Sequence, residues 1–263
     1  MNSFIQTRQR DNIFEIILNR PEKRNAINWS MMMDLDAAIS EAEKTTGIRA
    51  VIIRGEGSSF SAGIDVTSFA ESSEHFGESW RDNLFPLTAA YQRVTDKIAH
   101  CSLPTIALLH GYCLGLGFEI ALACDFRIAT VGTRIGLPET RLGIIPDVGG
   151  TTRLTRLVGI ARAKEYIMTG KNIDLNDAER FGILNSVVPT DELLARCESL
   201  VGELGQAAPL AVSYAKRVID GISETERGLQ LEAWAQSILI RSQDFEVGIE
   251  SMMTKQLPLW KGK

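Results

Sequence analysis

The sequence predicts an α/β protein with a mostly parallel sheet, followed by a helical C-terminal part. In the first half, short apolar runs typical of buried strands alternate with segments whose apolar residues have helical spacing. This alternation indicates crossover connections between parallel strands. From Thr151 onward, helical patterns dominate. We therefore expect an α/β core over residues 1–195 and a helical region over residues 196–263.

Apolar runs and their spacing predict the individual elements. The expected strands cover residues 13–18, 50–53, 105–109, 126–130 and 186–188. Helices are expected after Ser30, a candidate N-cap, and over residues 84–98. The expected helices of the second half cover residues 151–158, 161–168, 175–181, 190–205, 209–220, 224–241 and 243–253. Residues 67–83 have weak periodicity, which is typical of a mobile loop or of short helices.

Composition argues against several classes of function. The 263-residue chain has a formal net charge of −5 and a pI of about 5.4, so nucleic acid is not expected as its main partner. No apolar run approaches the roughly 20 residues of a membrane span, and no secretory signal is recognisable at the N-terminus. The four cysteines have no CxxC spacing, and the three histidines form no metal-binding pattern. We expect a cytoplasmic protein without a membrane segment or a metal.

The most informative stretch is the glycine-rich segment 110–125, which follows the expected strand 105–109. Its glycines allow a sharp turn, and a helix is expected to begin at about Gly117. Glu119 then lies in the first helical turn, where unpaired amides and the helix dipole favour a negative charge. This turn is a candidate anion-stabilising corner, although an acid at the start of a helix is also a common structural feature.

Two other turns, residues 62–64 and 146–150, also place small residues and exposed amides where a turn is expected. A pair of such turns can direct two backbone N–H groups at one oxygen, and loss of one donor typically slows a reaction about 10²–10³-fold. Glu119 and Glu139 both lie in apolar company, where two carboxyls facing one substrate can act as base and acid. From the residues alone, Glu139 can equally cap backbone or face solvent, and Asp147 is more typical of a turn than of a catalyst.

Other signatures of binding and catalysis are incomplete. Ile120 stands where the dinucleotide fingerprint that starts at Gly115 requires another glycine. No glycine-rich loop ends in Gly-Lys-Ser or Gly-Lys-Thr, and no GxSxG elbow is present. Lys23 and Arg24 are either solvated loop charges or contacts to a phosphate.

Five segments together resemble the enoyl-CoA hydratase/isomerase (crotonase) superfamily. They are residues 19–26, 60–65, 110–125, 137–154 and 257–262, in the order in which the family has them. The resemblance implies a crotonase (ClpP-like) fold, in which ββα units stack as a spiral core and the C-terminal helices make trimer contacts. It also implies an acyl-CoA thioester as substrate and a homotrimer or homohexamer (dimer of trimers). Coenzyme A is then part of the substrate, and no separate cofactor is expected.

The resemblance also assigns roles to residues. The backbone N–H groups of Ile64 and Leu116 match the family's oxyanion hole, and Glu119 and Glu139 match the two acids of the hydratases. Asp147 matches a further acid that dienoyl-CoA isomerases use. The positions that match the lining of the CoA site are Arg24, Ala26, Ala62, Ile64, Asp65 and Leu116. Leu116 stands where many members have glycine, which keeps the backbone donor but narrows the acyl channel.

The leading hypothesis is therefore an enoyl-CoA hydratase. The amide pair takes up charge on the thioester oxygen, Glu119 helps to deprotonate water, and Glu139 delivers a proton to C2 in a syn addition. The alternative is an isomerase that shifts a double bond of a dienoyl- or 3-enoyl-CoA with Asp147 as base. Hydrolase and lyase members are further alternatives. A non-catalytic CoA- or RNA-binding member is another, but the acidic pI and the complete acid pair argue against it.

Overall fold

The computed structural model describes residues 4–221 and 225–258 of the chain. Its strands are β1 (Ile5–Arg10), β2 (Ile13–Leu18), β3 (Ala50–Gly55), β4 (Thr105–Leu109), β5 (Tyr112–Leu114), β6 (Phe126–Thr130), β7 (Arg134–Gly136) and β8 (Ser186–Val188). One sheet has the order β1-β2-β3-β4-β6-β8, and a second, smaller sheet pairs β5 with β7.

Helices follow most of the strands. They are α1 (Trp29–Lys44), α2 (Ser72–Phe76), α3 (Phe85–Ala99), α4 (Leu116–Ala123), α5 (Gly150–Thr169), α6 (Leu175–Arg180), α7 (Leu193–Gly205), α8 (Pro209–Gly221), α9 (Thr225–Leu239) and α10 (Gln243–Thr254). Short 3₁₀ helices cover Pro21–Lys23, Val66–Glu71, Glu139–Leu142 and Thr190–Glu192. The described helices include none with both the length and the hydropathy needed to cross a membrane.

The large sheet is parallel except at one edge, where β1 runs antiparallel to β2. Every residue of β2 is buried, as is typical of a strand that is covered on both faces. By contrast, only Ile5 of β1 is buried, and the rest of this edge strand is exposed. Charged edge residues such as Arg8 and Arg10 discourage pairing with another chain.

Along the chain, a short strand follows a long strand of the large sheet and precedes a helix. The order of long strand, short strand and helix is complete in β4-β5-α4 and again in β6-β7-α5. In the preceding turn, β3 leads to a short extended segment that bridges Ser61 with Cys113 and Ile64 with Ile27. This repeat is the stacked ββα spiral that the resemblance implies, so the predicted fold is confirmed.

All five predicted strands are present in the structure, which also contains three strands that the sequence did not predict. β1 is too polar to stand out, and β5 and β7 have only three residues each. The prediction that Ser30 caps the first helix is wrong. Asn28 is the N-cap, because its backbone is extended and its side-chain oxygen accepts from the Met31 N–H at 3.0 Å.

The predicted helices agree with the structure to within a few residues at each end. Two of them, at residues 151–158 and 161–168, are the halves of α5, which is interrupted at Gly159 by a φ of 76°. Residues 67–83 contain the Val66–Glu71 turn and α2, which fits the expectation of short helices there. The division at residue 195 stays a prediction, and the closing residues 259–263 lie outside the described residues.

Two glycines have a positive φ, but they differ in the space available for a side chain, so substituting each distinguishes backbone strain from steric clash. Gly132 has a φ of 84° and open space around an added Cβ, whereas Gly143 has a φ of 78° and an added Cβ there lies 2.6 Å from the Asp244 backbone. We expect Gly132→Ala to lower the free energy of unfolding by about 1–2 kcal/mol. Gly143→Ala should lower it further, because α10 must also move. Denaturant unfolding of both variants measures the difference, and equal losses would show that the α10 contact is not tight.

Candidate active site

Glu119 lies in the first turn of α4 and is 2% exposed. The helix starts directly after Gly115, whose φ of 51° lets the chain turn sharply out of β5. One carboxylate oxygen, Oε1, accepts from the backbone N–H groups of Val148 at 2.9 Å and Gly150 at 2.8 Å. Hydrogen bonds of this kind are strongest to an ionised carboxylate, so the site holds Glu119 in a fixed position as an anion.

Glu139 begins the short 3₁₀ helix after β7 and is also buried. Its Oε2 atom makes no hydrogen bond among the described residues. Burial raises the pKa of Glu139 to about 8, and the negative charge of Asp147 contributes to this increase. At neutral pH this carboxyl therefore keeps its proton and can donate it.

Asp147 lies on the loop that leads into α5 and is 9% exposed. The Thr88 hydroxyl of α3 donates to its Oδ2 at 3.0 Å. Gln92, one turn further along α3, donates to the Asp147 backbone oxygen at 2.7 Å. These contacts hold the carboxylate beside the two glutamates rather than in solvent, where a residue of an ordinary surface turn would lie.

The amides of Ile64 and Leu116 belong to two backbone turns that approach each other closely. An added Cβ on Gly63 would lie 2.9 Å from the carbonyl oxygen of Leu114, so the two turns are in contact. The residues on either side of Ile64 form the β-bridge with Ile27. The Ile27 N–H donates to the Gly63 oxygen, and the Asp65 N–H donates to the Ile27 oxygen. The Ile64 N–H therefore faces the other side of its segment.

Within the described chain, neither the Ile64 N–H nor the Leu116 N–H donates to a protein group. Both residues line the same small cavity as the three acids. The cavity has a volume of about 40 Å³, which is room for about three water molecules. The two N–H groups and the three acids thus meet in one cavity.

Ile64 and Leu116 line this cavity, whereas the other residues that match the family's CoA lining do not. Arg24 and Ala62 are exposed, and the Ala62 N–H donates to the Arg24 oxygen at 2.9 Å. Ala26 is half-buried. Asp65 differs from them, because its side chain is buried and forms an ion pair with Arg20 at 3.0 Å.

The environment of Asp65 keeps its carboxylate charged. Burial acts against the charge, but hydrogen bonds from Thr67 and Arg20 lower the pKa of Asp65 overall. Because both side chains of the ion pair are mostly buried, this contact holds the segment around Ile64 against the segment that follows β2. The Asp65 carboxylate thus has its hydrogen-bond partners, Arg20 and Thr67, within the protein.

Asn25 is a structural residue of the site that sequence reasoning gave no role. It is fully buried, and its amide nitrogen donates to the backbone oxygens of Glu56 at 2.9 Å and Ser59 at 2.8 Å. Its amide oxygen accepts from the Arg20 N–H at 2.8 Å. These bonds join the Arg24 turn to the segment that leads to Ile64. Its place inside the motif 19–26 was the available signal.

Three polar residues of the cavity wall also escaped the sequence analysis. Thr88 and Tyr91 come from α3, and Gln236 comes from α9. They belong to no motif and lie on helices whose spacing indicates only a buried face. Nothing in the local sequence could have identified them.

A larger groove of about 580 Å³ lies near the C-terminal end of α4, against α8. It contains none of the three acids and neither of the two free amides. Its buried ion pair, Lys216 with Asp125 at 2.7 Å, is already satisfied. Chemistry rather than size therefore identifies the smaller cavity as the candidate active site. Over residues 4–221 and 225–258, no three His, Cys, Asp or Glu side chains are grouped as metal ligands.

Comparison with known proteins identifies the family. Residues 8–263 match the family described as enoyl-CoA hydratase/isomerase. The chain is 32% identical to the 2,3-dehydroadipyl-CoA hydratase of Escherichia coli (strain K12), with 100% of both chains covered. It is also 32% identical to the mitochondrial Delta(3,5)-Delta(2,4)-dienoyl-CoA isomerase of Dictyostelium discoideum, with 98% of this chain and 91% of the relative covered.

A solved structure is similar over the same length. The carnitinyl-CoA hydratase of Mycobacterium avium has a TM-score of 0.85 and 29% sequence identity, with 100% of both chains covered. The chain therefore has the crotonase fold and belongs to the enoyl-CoA hydratase/isomerase family. The family comprises enzymes that act on acyl-CoA thioesters, as the resemblance implies.

The unusual pKa of Glu139 can be measured directly. We expect the carboxyl carbon of Glu139, followed by ¹³C NMR, to titrate at about pH 8. Asp147→Asn should lower this pKa, because it removes a nearby negative charge. The control is Asp36→Asn. Asp36 forms an ion pair with Lys97, with an N–O distance of 2.7 Å, and neither residue lines the cavity. This substitution should leave the pKa of Glu139 unchanged. An ordinary carboxyl pKa in the wild type would contradict the buried, unpaired environment.

The same shift predicts how stability depends on pH. Because the folded pKa of Glu139 is raised, the native state holds the proton more tightly than the unfolded chain. Its contribution to stability is present below the ordinary pKa of 4.5 and is lost as pH rises through about 8. Glu139→Gln should flatten this part of the profile of unfolding free energy against pH. An unchanged slope would show that Glu139 is not the group responsible.

Proposed function

We propose that this enzyme is an enoyl-CoA hydratase that adds water syn across the 2,3 double bond of 2-enoyl-CoA thioesters. The observation that carries the proposal is the contrast between two buried acids that line one cavity. Glu119 accepts two backbone N–H groups, which favours the carboxylate. Glu139 has a pKa of about 8 and an unpaired oxygen, so it holds a proton at neutral pH. Hydration requires one base and one acid.

In the proposed reaction, the thioester oxygen accepts hydrogen bonds from the N–H groups of Ile64 and Leu116. Negative charge that develops on this oxygen is then stabilised without a metal or a cofactor other than the coenzyme A of the substrate. Glu119 takes a proton from water as the water oxygen bonds to C3. Glu139 gives its proton to C2, and one shared cavity for both acids supports addition to one face. Arg24, Ala26 and Ala62 are proposed to line the path of the CoA moiety.

The second candidate is a double-bond isomerase of dienoyl- or 3-enoyl-CoA thioesters. The observation that favours it is the position of Asp147, which lines the same cavity and is held there by Thr88. As a carboxylate, Asp147 could remove a proton from a carbon remote from the thioester while Glu139 returns one near it. The similar proteins include both a hydratase and an isomerase, so similarity does not choose between these reactions.

We also propose a homotrimer, or a homohexamer formed from two trimers. Support comes from large apolar side chains that stay exposed on the C-terminal helices of the single chain. They include Leu210, Tyr214, Val218 and Ile219 of α8 and Trp234 and Ile238 of α9. Exposed apolar surface of this extent typically marks an interface. Analytical ultracentrifugation tests the proposal, and a monomer at micromolar concentration would contradict it.

The hydratase proposal is tested with crotonyl-CoA. We expect loss of the ultraviolet absorbance of the conjugated thioester, and we expect Glu119→Gln and Glu139→Gln each to lower kcat by about 10²–10⁴-fold, the usual contribution of general acid–base catalysis. Glu203→Gln, at an exposed position of α7, is the matched control and should turn over normally. Near-normal turnover by either cavity variant would refute the assigned role.

Asp147 separates the two candidate reactions. If the enzyme is a hydratase, Asp147→Asn should change crotonyl-CoA hydration by no more than about tenfold, a barrier change of about 1.4 kcal/mol. If it is an isomerase, the wild type should convert a 3,5-dienoyl-CoA and Asp147→Asn should abolish that conversion. Isomerisation with no hydration of crotonyl-CoA would replace the first proposal by the second.

A further inference from the structure

Two polar side chains on the cavity wall have groups without a partner among the described residues. Tyr91 of α3 is 5% exposed and Gln236 of α9 is 4% exposed, and both line the cavity. In the part of the chain that the structure describes, the Tyr91 hydroxyl and the Gln236 amide nitrogen make no hydrogen bond. Buried groups of this kind almost always have a partner, because loss of water without replacement is unfavourable.

The orientation of the Gln236 amide is set by its neighbour. Its oxygen accepts from the Ile145 N–H at 3.3 Å, so the amide nitrogen is the group left over. Unlike Glu139 Oε2, neither this nitrogen nor the Tyr91 hydroxyl is completely buried. Both residues line the cavity, so the cavity is the space that these groups can reach.

Tyr91 is held as a hydrogen-bond donor. Its ring packs against Trp29 with the ring centroids 5.5 Å apart. Burial raises the pKa of Tyr91, and the charges of Asp147 and Glu71 raise it further. The phenol therefore keeps its proton throughout the physiological range. Thr88, on the preceding turn of the same helix, already uses its hydroxyl for Asp147.

The size and charge of the cavity limit what can accept these bonds. A volume of about 40 Å³ does not hold a long hydrocarbon tail, so the accepting group must lie a few carbons from the thioester. Asp147 and Glu119 line the same space, and their negative charge disfavours a carboxylate on the acyl chain. An uncharged oxygen satisfies the two donors and avoids this repulsion.

We propose that the preferred acyl group is short and carries a hydroxyl or carbonyl oxygen, which accepts hydrogen bonds from Tyr91 and Gln236. This inference rests on the proposed function of the same cavity as an acyl-CoA site. It makes Tyr91 and Gln236 specificity-determining residues of that site. A purely hydrocarbon chain of the same length would leave both donors unpaired, and discrimination of this kind is typical of polar groups in enclosed sites.

Binding of unreactive saturated thioesters tests the inference without turnover. The ligands are hexanoyl-CoA and its 4-hydroxy, 5-hydroxy and 5-oxo derivatives, with dissociation constants measured by titration calorimetry. At least one oxygenated ligand should bind about tenfold or more tightly than hexanoyl-CoA, since each neutral hydrogen bond contributes about three- to tenfold. Tyr91→Phe and Gln236→Met should each reduce that ratio about three- to tenfold.

The matched control is Leu87→Met, one turn before Tyr91 on the same cavity wall. It changes the shape of the wall but removes no donor, so it should shift the affinity for all ligands by a similar factor. If Leu87→Met reduced the ratio as much as Tyr91→Phe does, shape rather than hydrogen bonding would explain the preference.

The outcomes also separate this inference from the proposed function. If hexanoyl-CoA binds as tightly as every oxygenated ligand, the inference is overturned, while hydration of crotonyl-CoA can still support the hydratase. If crotonyl-CoA is not hydrated but oxygenated thioesters bind preferentially in a Tyr91-dependent way, the inference stands and the hydratase proposal fails. Absence of binding by any of these thioesters overturns both.

Discussion

The hydrogen bonds from the Val148 and Gly150 amides to the Glu119 carboxylate hold the candidate site together. A buried carboxylate without such donors would be strongly unfavourable, so α4 and the start of α5 must stay in contact. The contact is close, since an added Cβ on Gly150 would lie 2.8 Å from Glu119 Oε1. Asp147 directly precedes Val148, so the hydrogen bonds to Glu119 also help to fix Asp147 beside the cavity.

The same turns give the two glutamates different electrostatic environments. Glu119 receives two amides at the start of a helix, whereas Glu139 lies against the bare backbone of Gly115 with one oxygen unpaired. An added Cβ on Gly115 would lie only 2.9 Å from Glu139 Oε1, so glycine permits this approach. One acid is thus stabilised as an anion and the other as a neutral carboxyl, although both belong to one cavity.

The C-terminal helices complete the cavity as well as covering the core. Gln236 and Ile240 line it, and Phe245 of α10 packs edge-on against Phe69, which stacks on Trp80. The acids and the two amides of the cavity lie on or beside the glycine turns of the spiral. The rest of the cavity wall is built from α3, α9 and the segment around Phe69. This division allows substrate preference to change while the acids and amides stay in place.

The sequence by itself determined the alternation of strands and helices and the glycine turns, and its resemblance to a family singled out the acids at 119, 139 and 147 as candidates. These features are local, because apolar periodicity, turn residues and motifs are read over a few consecutive positions. The edge strand β1 and the cap at Asn28 escaped prediction, since a polar strand and two cap-forming residues two positions apart, Asn28 and Ser30, leave the local pattern ambiguous. Only the tertiary structure decided that Asn25 joins two loops and that Tyr91 and Gln236 lie in one cavity. It also decided the pKa of Glu139, because burial and long-range contacts between distant segments have no signature in the order of residues along the chain.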